Sequence, residues 1–424
     1  MLLILFTAIM LMMYVRFNKA KSVSVIIVLL LTFTALGSSL VGQMPDFEAM
    51  EDILVLLYTC LMIFLFCDGY KGYTKVYAIT GTENNLFVLF SKLVLVCSLF
   101  SVIVNGALLT VVFPMMSNMG EWKGDFDAQA DFFYRLPIPH WILTLSSMFS
   151  SFAIFALPIH FHYLVARNLK MAIWYGLCSL ALIVNGLLIF SRSSFVIFAL
   201  LYLFYLFIFY DAFSIRTKKF IKKLIIVAVS GASIVFMAIS INRFDDTGAL
   251  KIQEGSIIQN ELLYSFFDYA CQWFSDNFVL GRQYNNDPLG GTLSNAFIND
   301  WFLHPDVKEI RLQLWGSRAT AFIGLFCIWL YDFGYIVSIM IAFLFRLVVR
   351  KLRPKRGVMS STSIFAFSVL SVLPLMSFTG NMLEVTWYHY SLIILALYAL
   401  LSPKYKIHVS DSGLSNNCNT TIYK

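Results

Sequence analysis

The chain has 424 residues, of which 59% are hydrophobic and 13% charged, and its formal net charge is +7. Soluble domains carry about 25% charged and 45–50% apolar residues, so a soluble core does not absorb this excess. The positive balance does not indicate nucleic acid as a partner, because Lys and Arg stand in short clusters between apolar runs, as they do in the cytoplasmic loops of membrane proteins.

Apolar runs of about 18 residues or more are long enough to cross roughly 30 Å of hydrocarbon. Taken in order they predict eleven spans, at 1–15, 22–42, 50–67, 86–114, 141–165, 171–190, 194–212, 224–241, 318–348, 359–380 and 386–402. The expected fold is all-α, a polytopic helical bundle forming a single membrane domain over 1–424. The first run has no basic leader and no small-residue cleavage site soon after it, and reads as a retained span. Basic residues follow alternate spans: Arg16, Lys19 and Lys21; Lys71 and Lys75; Arg167 and Lys170; Arg216 to Lys223; Arg350 to Arg356; Lys404 and Lys406. Acids stand in the connection after the second span (Asp46, Glu48, Glu51, Asp52), and the connection 115–140 is mixed but acid-rich. The pattern predicts an N-terminus on the outer side, which the resemblance given below makes periplasmic, and a cytoplasmic C-terminal tail at 403–424. The run 318–348 exceeds a perpendicular span. It reads as one tilted helix bent at Gly334, because a hairpin at Asp332-Phe333-Gly334 would move the cluster 350–356 to the other side.

The segment 242–317 is the largest hydrophilic stretch, with ten acids and five basic residues. It is also rich in aromatics. Leu263, Phe266, Phe267, Ala270, Trp273 and Phe274 recur at helical spacing and predict an amphipathic helix on the outer membrane surface or over the bundle. Asn285-Asn286-Asp287-Pro288 and Gly290-Gly291 mark a turn. Phe297, Ile298, Trp301 and Phe302 suggest a second short helix. A loop of this length with apolar faces is usually functional. Of seven cysteines, only Cys271 falls in this loop, and no Cys/His metal spacing occurs.

The outer side is where chemistry is expected. Arg192 stands in the tight turn Ser191-Arg192-Ser193-Ser194, Arg243 follows the eighth span, and Arg318 opens the ninth. Arg282 and Arg311 lie in the loop. Guanidinium forks bind phosphate oxygens two at a time and stay charged near lipid, so a gathered set suits a lipid-linked phosphate or diphosphate. Each arginine alone equally suits a lipid headgroup or a loop acid. His304, His140 and His389 are outer histidines, and a histidine near neutral pKa serves as a general base for a sugar hydroxyl. Asp268, Asp300 and Glu384 are rival bases. There is no GxxxxGK[ST], no HExxH and no GxSxG. Charged residues within the spans are few, Asp332 and Lys92 being the main exceptions, which disfavours an ion-coupled transporter.

The plan of some eleven spans with one long late loop resembles the O-antigen and capsular repeat-unit polymerases of the Wzy type. Ser191-Arg192-Ser193-Ser194 and Gly316-Ser317-Arg318-Ala319-Thr320, leading into Tyr331-Asp332-Phe333-Gly334, carry the local resemblance. The arginine followed eleven positions later by glycine, found in some members, does not occur at Arg192, Arg243, Arg282 or Arg318. The resemblance implies a metal-independent glycosyltransferase of the bacterial inner membrane that needs no cofactor. It would join undecaprenyl-diphosphate-linked oligosaccharide repeats on the periplasmic face, with a chain-length regulator as a further partner besides the bilayer. Arg192, Arg243, Arg282 and Arg318 would hold the diphosphate, with His304 and Arg318 in the catalytic roles. An O-antigen ligase shares the plan, and a flippase of lipid-linked sugars is the alternative outside enzymology.

Overall fold

The computed structural model describes residues 1–43, 49–112, 138–188, 193–226, 252, 255–295, 298–316 and 323–402. These fold almost entirely as helices. The first four are α1 (Leu2–Lys19), α2 (Ser24–Leu40), α3 (Ala49–Gly69) and α4 (Asn85–Val112). Next come α5 (His140–Ser150), α6 (Ala153–Val165), α7 (Leu169–Ser179), α8 (Ala181–Leu188) and α9 (Ser193–Phe209). A further helix, α10, covers 215–226. After it come α11 (Glu261–Arg282), α12 (Val307–Trp315), α13 (Leu325–Lys351), α14 (Ser361–Leu375) and α15 (Thr386–Leu401). Among the described residues six helices are long and apolar enough to cross a membrane, or seven if α5 and α6, bent by 45° at their junction, count as one. The apolar helices α2, α14 and α15 are shorter, at 10–17 residues. Most of the predicted eighth span, 224–241, lies outside the described residues, as does the tail 403–424.

One end of the bundle is tied together by the connections that carry the basic clusters. Ser24 Oγ donates to the Cys67 carbonyl (2.6 Å) and Ser22 Oγ to that of Tyr70 (2.7 Å). Val76 N–H bonds the Ile208 carbonyl at 2.7 Å, and Tyr77 N–H that of Gly357 at 2.8 Å. Two short strands, β1 (Ala78–Thr80) and β2 (Val358–Ser360), then pair in parallel with Ala78 opposite Val358. Lys75 and Asp211 form an ion pair beside them. Buried Asp68, at the end of α3, is shared by Arg346 (2.6 Å), Arg16 (3.6 Å) and Arg350 (3.6 Å). The ends of α1, α3, α9 and α13 therefore lie on one face, the basic face, as the alternation of charge predicts.

The long loop folds against the opposite face. α11 begins where the sequence pattern places it, capped by the Asn260 side chain, which accepts from Leu263 N–H at 3.0 Å. It does not float on a lipid surface. It lies across the ends of α2 and α3 and sinks between them. Its flanks reach the rim, where Asp268 bonds Gln43 and Arg282 bonds Asp52. Its middle goes deeper: Trp273 Nε1 donates to Thr34 Oγ1 (3.0 Å) and Asn277 Nδ2 to Thr59 Oγ1 (2.7 Å). Trp273, Phe274 and Phe278 are fully buried in the main core. A buried tryptophan or asparagine needs its polar atoms satisfied, and the threonines of α2 and α3 supply the partners.

α13 is not one continuous rod. Gly334 has φ 69° and ψ 176° within it, outside any helical conformation. The hydroxyl of Tyr58 reaches both the Phe326 carbonyl (3.0 Å) and Ser338 Oγ (3.1 Å). In a straight helix residues twelve apart are separated by about 18 Å. The Phe66 ring likewise packs on Trp329 and Phe345 together, at 5.9 and 5.0 Å. The chain thus folds back at Gly334, so that 325–333 forms a short arm against 335–351. The turn stands where the sequence offers Asp332-Phe333-Gly334, yet Arg346 and Arg350 still end on the basic face, because the short arm starts inside the bundle. Gly324 lies there against Trp273 and the Ser377 carbonyl.

Candidate functional site

The fold-back brings Asp332 to the face opposite the basic one, where it meets the loop. Asp332 is fully buried, and its Oδ1 accepts from Leu293 N–H at 2.8 Å. The neighbouring buried Ser294 accepts through Oγ from Asn381 Nδ2 at 2.7 Å. Asn381 caps the one-turn helix Met382–Glu384 between α14 and α15. Glu384 forms an ion pair with Arg311 of α12. The Arg311 guanidinium also lies over the Trp315 ring, 5.7 Å from its centre. Trp315 stands edge-on to Tyr331, which donates to the Leu280 carbonyl at 2.9 Å. One buried polar cluster is therefore assembled from the loop, the turn of α13 and the α14–α15 connection, beside an apolar cluster that includes Leu280, Leu293 and Cys327.

Its electrostatics are unusual for a carboxylate beside an arginine. Burial pushes the Glu384 carboxyl up to about 7, against the attraction of Arg311 and with added repulsion from Asp332. Glu384 Oε1, Asp332 Oδ2 and Arg311 Nε make no hydrogen bond among the described residues. Buried polar atoms are normally paired, so three left over in one cluster make it the candidate place for a polar partner. A carboxyl titrating near neutrality with an unpartnered oxygen has the chemistry to accept a proton from a hydroxyl that reaches it.

The sequence candidates distribute as follows. Arg192, Arg243 and Arg318 lie outside the described residues. Arg282 ends α11 and forms a two-pronged pair with Asp52, Nε to Oδ1 at 2.6 Å and Nη2 to Oδ2 at 2.9 Å. Asp52 is fully buried, so Arg282 neutralises a core carboxylate. His304 follows the π-helical turn Asn299–Leu303 in a left-handed conformation, φ 47°, with its backbone N–H on the Asn299 carbonyl at 2.7 Å. Its exposed imidazole makes no hydrogen bond or ion pair among the described residues. His389 contacts the Leu383 carbonyl through Nε2 at 2.7 Å, next to Glu384. Among the described residues no group of three or more His, Cys, Asp or Glu is placed to hold a metal. Ser294 and Asn381 were not singled out by the sequence. Their only local signal is a place beside glycine and other small polar residues, in Gly290-Gly291-Thr292-Leu293-Ser294-Asn295 and Thr379-Gly380-Asn381.

No family model, no curated protein and no solved structure matches this chain.

Proposed function

We propose that this chain is a membrane glycosyltransferase that joins undecaprenyl-diphosphate-linked oligosaccharide repeat units, working at the face opposite the basic clusters. The observation that carries the reading is Glu384: a carboxyl pushed up to about 7, paired with Arg311 and with its buried Oε1 left without a hydrogen-bond partner among the described residues. In the reaction a hydroxyl of the acceptor sugar attacks the anomeric carbon of the donor chain. A new C–O bond forms, the bond from that carbon to the diphosphate oxygen breaks, and the hydroxyl proton passes to Glu384. Undecaprenyl diphosphate leaves with the bonding pair. Arg311 fixes the orientation of Glu384 and favours its charged form. This assigns the base to Glu384 in place of His304, and leaves the stabilisation of the diphosphate to Arg192, Arg243 and Arg318. Arg282, held by Asp52, stays structural. The topology that goes with this reading is eleven spans, with the N-terminus periplasmic and the C-terminus cytoplasmic in a bacterial inner membrane.

A deletion strain tests the pathway. A surface glycan reduced to a single repeat supports the polymerase, no repeat on the lipid core indicates a ligase, and a normal ladder overturns the proposal. Purified chain supplied with two lipid-linked repeats tests the chemistry. Formation of the doubled repeat supports it, and transbilayer movement without a new glycosidic bond identifies a flippase instead.

A further inference from the structure

We infer that the basic face carries a binding site for a phosphate group, in a cleft between the α6–α7 connection and the start of α10. The cleft has a volume of about 310 Å³ and is lined by Arg167, Leu169, Ser214, Arg216 and Thr217. No carboxylate lines it. Arg167 and Arg216 come from separate connections, and neither makes an ion pair among the described residues. Two acids of this face are engaged elsewhere, Asp211 by Lys75 and Asp68 by three arginines. Two exposed guanidinium groups therefore line one concave site, an arrangement that an anion between them stabilises.

The rest of the lining adds donors. Ser214 caps α10, its Oγ accepting from Thr217 N–H at 3.1 Å and lying 2.8 Å from Thr217 Oγ1. Lys218 N–H reaches the Ser214 carbonyl at 2.9 Å. The N–H groups of Ile215 and Arg216 have no partner within the helix, as in any first turn. Guanidinium forks from two connections together with these N–H groups match an anion that accepts from several directions, which a tetrahedral phosphate does. The cleft lies where α7 starts, level with the helix ends, and Ile215 beside it is 77% exposed. The phosphate of an anionic lipid headgroup and a soluble phosphate share this chemistry.

The test uses purified full-length chain and native mass spectrometry after reconstitution with phosphatidylglycerol or phosphatidylcholine, with inorganic phosphate as competitor. The expected result is one phosphatidylglycerol retained per chain in preference to phosphatidylcholine. Retention drops about tenfold or more in Arg167→Gln/Arg216→Gln and is unchanged in Lys222→Gln/Lys223→Gln, which removes the same charge from the exposed side of α10. Displacement by millimolar inorganic phosphate assigns the site to a soluble phosphate, and resistance to it assigns the site to lipid. Should the glutamine pair elute as aggregate, Arg167→Lys/Arg216→Lys replaces it, and retention still falls because the forks are lost. Absence of bound phosphatidylglycerol and phosphate in the wild type, or equal loss in the arginine and lysine pairs, overturns the proposal.

Discussion

Glu384 is held between opposing influences, and each has a measurable consequence. As the proposed base it works ionised, so the rate of polymerisation should rise with pH and level off above about 7. Glu384→Gln should lower the rate by about 10²- to 10⁴-fold, the usual contribution of a general base, with protein levels unchanged. A pH-independent rate, or an active glutamine variant, removes Glu384 from the chemistry. Stability carries the opposite sign. The carboxyl is raised from 4.5 to about 7, so folding favours the protonated form. The stabilisation is complete below about 4.5 and is lost as pH rises through about 7. Melting temperatures in detergent should fall over that interval in the wild type, and Glu384→Gln should flatten the fall. Arg282 makes the contrasting case. Arg282→Ala leaves Asp52 charged and buried without its main partner, a loss of about 3–5 kcal/mol, whereas Asp52→Leu/Arg282→Met should restore most of the stability. An Arg282→Ala protein that melts like the wild type yet makes no polymer would return Arg282 to the diphosphate. The sequence offered Glu384 as a rival base and Arg311 as a loop arginine. It carried no sign of their meeting, because α13 and α14 lie between them and ion pairing leaves no periodic trace. It likewise offered Arg282 as a ligand arm, since the acid that holds it lies on the distant α3.

The helices themselves were legible wherever one local force decides them. Spacing of Leu263, Phe267, Ala270 and Phe274 marks α11, and Asn260 supplies its cap. What spacing does not express is depth. α11 sinks between α2 and α3 because Trp273 and Asn277 find hydroxyl partners there, and the sequence presents those threonines as ordinary residues of apolar spans. The fold-back of α13 was half legible. The excess length of 318–348 and Asp332-Phe333-Gly334 mark the turn, but a hairpin there reads as moving the cluster 350–356 to the other side, and hydropathy does not show that the first arm starts inside the bundle. The Gly334 φ of 69° with ψ of 176° belongs to a region almost closed to residues with a Cβ. Gly334→Ala should therefore cost about 1–3 kcal/mol through backbone strain. A Cβ there would also stand 3.1 Å from the Tyr284 hydroxyl oxygen, a crowding that Tyr284→Phe relieves. The check is thermal unfolding of the two single variants and the double. Gly334→Ala should remain destabilised in the Tyr284→Phe background, because strain persists after the contact is gone. An alanine variant as stable as the wild type would mean that the turn forms elsewhere.

At the scale of the molecule, charge separates the two faces, and the separation is enforced by contacts as well as by lipid. The basic face is closed by backbone hydrogen bonds, a two-stranded pairing and the shared Asp68, so its connections cannot sort independently to opposite sides of a membrane. The other face is closed by the pairs Asp52–Arg282 and Glu384–Arg311. An orientation signal acting on any one basic connection thus orients them all, which explains how the short cluster Lys71–Lys75 and the long one 350–356 agree. With the orientation proposed above, the excess of Lys and Arg puts this face on the cytoplasmic side. Single cysteines at Lys71, Arg167 and Lys355, in a chain freed of its own cysteines, should resist a membrane-impermeant maleimide in intact cells and react after permeabilisation. Cysteines at Asp287 and His304 should react in intact cells. Labelling of Lys355→Cys from outside would show that α13 crosses an even number of times, and the fold-back at Gly334 would then be a full transmembrane hairpin. Protection of all three basic positions requires the arm 325–333 to enter and leave on one side, which sets the turn carrying Asp332 on the same side as Glu384.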